Sequence, residues 1–226
     1  MNPAVDMLKP TEAAVVARVA LRDVNRAIDE RILPEGFFSI DDGRHVAVLA
    51  CTFIAFYFET AKRLTSEERL FAIKEVSTRL LKFHGPAHSL ASLIKKRWLL
   101  PERDWIVKDE FITIDFAPFA RRTTERMERL LAAREAVVSD PELLGGTPVL
   151  RGTRVPVHDV AASVAAGLPM DRILAAYPSL DADQVERATI YAEANPMRGR
   201  PRNSDELPRG ARRVADRRVP RRRPGG

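Results

Sequence analysis

Near the N-terminus, apolar positions recur in two short helical registers. Ala13, Val16 and Ala17, then Val24, Ala27 and Ile28, stand three and four apart, the spacing that lines one face of an α-helix. The stretch 18–21 between them leaves room only for a turn. The pattern therefore predicts a helix over 11–18 and a second over 21–31, with Leu21, Val24, Ala27 and Ile28 facing inward, as a helix-turn-helix. Pro34 ends the second helix. Strands over 37–40 and 44–46 then flank Asp41-Asp42-Gly43, whose Asp-Gly suits a tight hairpin, and a hairpin directly after a helix-turn-helix is a wing.

Two longer helices are expected over 48–63 and 66–82, the second opened by Ser66 with Glu67 and Glu68 placed to favour the helix dipole. His84-Gly85-Pro86 breaks the pattern, and a helix near 88–97 follows. Strands over 105–107 and 111–115 alternate around Lys108-Asp109-Glu110, and 119–135 reads as a charged amphipathic connecting helix. From Val137 the texture changes. Two short apolar strands, 149–151 and 155–157, are joined through Gly152-Thr153; three helices follow over 157–166, 170–177 and 182–194. Asp181 and Gln184 have the spacing of a capping box that opens the last helix. The fold class is mainly α with short β hairpins: a winged helix-turn-helix domain with a helical extension over 1–115, a connecting helix over 116–134, a small three-helix domain over 135–195, and a disordered Arg/Pro-rich tail over 196–226.

Composition adds a division of charge. The chain carries a net +6, but residues 196–226 hold eleven arginines against Asp205, Glu206 and Asp216, a local +8, so residues 1–195 carry −2. The body is nearly neutral and the tail basic. A hydrophobic content of 45% suffices for a core in each domain. The apolar run 46–58 has 13 residues, short of the roughly 20 that cross a bilayer, and reads as a buried helix. Residues 1–20, with Asp6, Lys9 and Glu12, have no secretory pattern, so a cytoplasmic protein is expected. The single Cys51 lies inside the apolar run and reads as a small core residue.

The candidate chemistry is recognition. On the second helix Arg22, Asn25 and Arg26 share the exposed face at spacings of three and four. Arg commonly reads guanine and Asn adenine in the major groove, and Arg44 and His45 on the wing add contacts to phosphate or the minor groove. Asp23, Asp29 and Glu30 weaken the local positive field, so a solvated surface helix is the rival reading. His45, His84, His88 and His158 fall in no metal-ligand spacing on one helix, and no nucleophile or phosphate-loop motif occurs. A non-catalytic protein without metal or cofactor is expected.

The segment from Thr11 through Val24-Asn25-Arg26 to Pro34 resembles the helix-turn-helix of MerR-like regulators, with Arg18 where a Gly or small residue is frequent and Ala20 or Leu21 where a Ser often caps. The segment Val138-Ser-Asp-Pro-Glu-Leu-Leu-Gly-Gly-Thr-Pro-Val-Leu-Arg-Gly-Thr-Arg-Val-Pro-Val157, with Gly167-Leu-Pro and Ile173-Leu-Ala-Ala-Tyr-Pro178, resembles domain-of-unknown-function family 433. That resemblance implies a small helix-turn-helix-like domain of antitoxins, VapB-like in role, often encoded beside a PIN-like ribonuclease toxin. Gly146, Pro148 and Gly152 read as backbone devices of a stapled hairpin, flanked by Arg151 and Arg154, which can pair with carboxylates of a partner or of their own domain. The last helix, with Asp181, Asp183, Glu186 and Glu193 against Arg187, complements phosphate poorly and so faces protein, either a partner or its own copy. Tail arginines such as Arg198, Arg200 and Arg202 can neutralise phosphate or lie across the acidic metal site of such a nuclease. The expectation is an antitoxin that binds operator DNA as a homodimer and silences a PIN-like toxin. A stand-alone transcription regulator, or an RNA-associated scaffold acting through the tail, stay open as alternatives.

Overall fold

Within residues 7–84, 105–142 and 144–197, which the computed structural model describes, two sets of buried side chains form two cores, and one helix serves both. The first core gathers around β1 (Met7–Leu8), α1 (Pro10–Ala17), α2 (Leu21–Asp29), β2 (Phe38–Ser39), β3 (His45–Ala47), α3 (Ala50–Glu59) and α4 (Ser66–His84). The strands make an antiparallel sheet in the order β1-β3-β2, with Leu8 opposite Val46 and Phe38 opposite the same residue on the other side. The apolar run seen in the sequence is divided between β3 and α3. In α3 every residue from Ala50 to Tyr57 is buried, as expected of a helix apolar on all faces. Around it Phe53 meets Phe37 and Phe116 edge-on at 5.3 and 6.1 Å, and Phe56 lies 4.1 Å from Phe116 between ring centroids.

A second hairpin, β4 (Ile106–Lys108) with β5 (Thr113–Asp115), leads into α5 (Ala117–Glu135). This helix packs on α1 and α3 through Ala120, Thr123, Met127 and Leu130. Thr123 meets the equally buried Thr52 of α3 at 2.9 Å, which satisfies both hydroxyls inside the core. Near its end Arg134 reaches the buried Glu12 of α1 at 2.6 Å.

The second core contains Val137, Leu150, Val157, Val160, Ile173, Leu180, Val185 and Ala188. It is built from β6 (Val137–Val138), β7 (Val149–Leu150), α6 (Val157–Ala165), α7 (Met170–Ala176) and α8 (Ala182–Ala194). Asp181 accepts from the Gln184 amide at 2.7 Å while the Gln184 side chain accepts from the Asp181 amide at 3.0 Å, a closed capping box at the start of α8. Val185 and Ala188 seal the second core; Ala194 belongs to the first. The architecture is thus mainly helical, with eight helices among the described residues and three small antiparallel sheets.

Three local expectations are corrected. Residues 155–157 are not a strand: β7 pairs with β6, and beyond it only the single bridge Val149–Pro156 remains before Val157 opens α6. Pro156 has no amide to donate and instead stands just before the helix, where its fixed φ suits the start. Ser66 opens α4 as expected, but the capping residue is Thr65: its amide and hydroxyl both donate to Glu68 Oε2, at 2.7 and 2.8 Å. Ser66 faces the Tyr57 hydroxyl at 2.9 Å. Leu21 is 43% exposed rather than inward, because it lines an open groove beside Ala14 and Val15 of α1. The helix read at 88–97 and the tail lie outside the described residues.

Candidate nucleic-acid interface

The two-helix unit closes by backbone geometry. At the end of α1, Arg18 takes the left-handed conformation at φ 56°, and the Val19 amide reaches back to Ala14 O at 3.1 Å, a Schellman-type closure. Ala20 then enters α2 without a side-chain cap, and Asp23 sits in the first turn where a negative charge is favoured. Val24, Ala27 and Ile28 are buried, which leaves the opposite face of α2 to Arg22, Asn25, Arg26 and Asp29. Arg31, again left-handed at φ 53°, ends the helix and turns Ile32 and Leu33 into the core.

The hairpin between β2 and β3 turns at Gly43, whose φ of 85° favours glycine, and carries Arg44 back over α2. Arg44 Nη1 donates to Asn25 Oδ1 and to Asp29 Oδ2, both at 3.1 Å, and Nη2 meets Asp29 Oδ1 at 2.9 Å. Asn25 and Arg44, nineteen positions apart, thus form one polar site, clamped by a carboxylate. His45 Nδ1 stays within the hairpin, 3.3 Å from Gly43 O.

Arg26 turns the other way. Its Nε donates to Glu30 at 2.9 Å, its guanidinium lies 6.0 Å from the Phe58 ring, and Glu30 raises its pKa above the ordinary value. Arg22 is the most open: its side chain is 89% exposed and its nearest carboxylate, Asp23, is 3.8 Å away. Of the five residues singled out on α2 and the hairpin, the fold joins two, pairs a third with an acid and leaves a fourth in solvent. The surface is therefore mixed in charge rather than uniformly basic.

Sequence reasoning passed over cations that α5 brings to the same unit. Arg122 holds Glu59, the residue after Phe58, at 2.6 Å, and Arg126 one turn on donates to Val16 O in the last turn of α1 at 3.3 Å. Burial lowers the Arg126 pKa; Arg122 and Arg18 lower it further, against the pull of Glu59. The only sequence signal was their spacing of four along a helix read as a connector.

In the other half, Gly145 and Gly146 are left-handed, as is Leu144 at φ 48°. The Gly146 amide closes on Asp140 O at 3.1 Å, and Pro148 O accepts from Val157 at 2.9 Å. Gly152, at φ 78°, makes the turn after β7. Arg151 is spent on its own fold: its amide and Nε donate to Ala136 O and Glu135 O, at 2.8 and 2.9 Å, satisfying carbonyls at the end of α5. Arg154 is exposed and without an ion pair among the described residues, whereas Arg198, Arg200 and Arg202 lie outside them.

An open, mostly apolar groove of about 500 Å³ runs between the two halves, lined by Ala14, Val15, Arg18 and Leu21 on one side and by Glu193 and Pro196 on the other. Among the described residues no cluster of three or more His, Cys, Asp or Glu side chains is placed to hold a metal ion, and no helix is long and apolar enough to cross a membrane.

Residues 137–192, which contain the second core, match the family described as a protein of unknown function, DUF433. No solved structure matches the chain. Over 225 residues, 99% of this chain and 98% of the other, it is 60% identical to the uncharacterized protein y4eO of Sinorhizobium fredii. At that identity over almost the full length of both, the chain belongs to the same family as the Sinorhizobium fredii protein.

Proposed function

We propose that this is a DNA-binding regulator that presents α2 to the major groove through Arg22, Asn25 and Arg26, with Arg44 and His45 of the hairpin alongside. The observation that carries the reading is the Asn25–Arg44 contact, which fixes the hairpin beside the exposed face of α2 so that both can meet one surface. An Arg or Asn making a bidentate base contact discriminates by about 1–3 kcal/mol, roughly 5- to 150-fold per base pair. In its fuller form the protein is the antitoxin of a two-component pair. The DUF433 segment and the arginines beyond it, Arg198, Arg200 and Arg202, then hold a nuclease toxin of PIN-like type. Exposed Leu168 before α7 and Met170 at its start, and Arg154, suit such a protein contact.

The test is fluorescence anisotropy of the full chain on duplexes from its own upstream region and on scrambled duplexes of equal length. The upstream duplex should bind more tightly, and the combined change R22A, N25A and R26A should erase that preference. Equal affinity for both duplexes, or a preference that survives the triple change, refutes the DNA reading. Co-purification with the product of the neighbouring reading frame, with and without residues 196–226, tests the toxin half separately.

A further inference from the structure

Two arginines, Arg18 and Arg126, stand together at the end of α1, beside the turn into α2. Arg18 occupies a left-handed turn where any side chain meets a steric penalty that glycine escapes. Its backbone makes the turn closure, yet its side chain is exposed and has no hydrogen bond or ion pair among the described residues. Arg126 is half-buried, and its one hydrogen-bond partner among the described residues is the Val16 carbonyl at the end of α1, in the same turn of helix as Arg18. Arg18 and Arg122 both act electrostatically on Arg126, and of this cluster only Arg122 has a carboxylate at contact distance among the described residues, Glu59. Glu59 and Glu125 offset only part of the positive field at Arg126, and an anion would complete the set.

A chain of contacts links the cluster to Arg26 of α2. Arg26 lies over Phe58, the next residue Glu59 holds Arg122, and Arg126 follows one turn along α5. We propose that Arg18 and Arg126 bind backbone phosphates of the duplex that receives α2, making α5 part of the DNA interface and Arg18 a residue kept for contact at a cost in turn strain. This rests on the DNA-binding reading and extends it to residues that set affinity and orientation but carry no sequence information.

The experiment compares the full-length protein with R18G, R126Q and R126K on the preferred and scrambled duplexes across a salt series, with thermal melting of each. R18G and R126Q should each weaken both duplexes by the same factor and flatten the dependence of log K on log salt by about 1. R126K, which keeps the charge, should hold the wild-type slope. R18G should melt at or above the wild-type temperature, since it relieves the left-handed strain; weaker binding by an equally or more stable protein is a combination that a structural role does not produce. A wild-type slope in R18G and R126Q, with sequence preference still lost in the α2 triple variant, overturns this inference and leaves the DNA reading intact. A lower melting temperature for R18G overturns it too, as does an acidic peptide that binds at the cluster while duplex does not. A wild-type protein that prefers no duplex removes the DNA reading itself.

Discussion

The contact between Glu12 and Arg134 joins α1 to the helix that runs into the DUF433 segment, and its two ends should respond unequally to mutation. Glu12 has only 6% of its side chain exposed; Arg134 has 35%. One Glu12 oxygen takes the guanidinium at 2.6 Å and the other takes the Lys9 amide at 2.9 Å at the start of α1. Removing Arg134 strands a buried carboxylate with a single donor. A fully buried ion pair broken in this way costs about 3–5 kcal/mol; because water already reaches Arg134, we expect about 2–3 kcal/mol for R134A. For a chain of this length that is a fall of about 4–12 °C in melting temperature. E12Q keeps an acceptor for the Lys9 amide and buries no charge, so alone it should cost about 1 kcal/mol. The diagnostic is the double variant: once Arg134 is gone, E12Q should restore stability rather than lower it, by about 1 kcal/mol. Urea unfolding followed by circular dichroism measures all four species. An R134A protein within 0.5 kcal/mol of wild type, or an E12Q change that weakens R134A further, would refute the assignment of Glu12 as a buried, charge-dependent link.

Other outcomes follow from single groups. Cys51 is fully buried and its thiol is pushed up to about 12, so an alkylating reagent at pH 8 should leave the native protein unmodified and label it only after unfolding. Asp29 clamps Arg44, so D29N should free the guanidinium and steepen the salt dependence of duplex binding; an unchanged slope would place Arg44 away from phosphate. The amide and hydroxyl of Thr65 hold the Glu68 carboxyl below its ordinary value. With a depressed folded pKa its contribution to stability is present above the ordinary carboxylate range and is lost as the pH falls through the folded value. Carboxyl titration by NMR should show Glu68 moving only part of the way back toward the usual range in T65V, because the amide of residue 65 still donates to it.

What could be read from the sequence is what local spacing encodes. Val24, Ala27 and Ile28 fix the buried face of α2, and Asp181 with Gln184 fix the start of α8, because both signals lie within one or two turns of helix. Strand pairing did not yield in the same way. Met7–Leu8 is too short to show alternation and its partner lies near residue 46; Val149–Leu150 finds its partner upstream, at Val137–Val138, rather than after Gly152. At the candidate interface the exposed face of α2 followed from periodicity. The Arg44–Asp29 clamp and the reach of Arg126 to Val16 span 15 and 110 positions, and no helical or strand period connects residues so far apart.

Helix α8 gives its first turns to one core and its last residue to the other, and also packs along α5 and α1. Fraying at either end of such a rod exposes apolar surface in both halves, so the halves lose the freedom to melt separately. Calorimetry of residues 1–197 should then trace a single peak, and amides near Val185 should gain protection from exchange when a ligand grips the far side of α1. The DUF433 segment is riveted into the larger body by its own final helix.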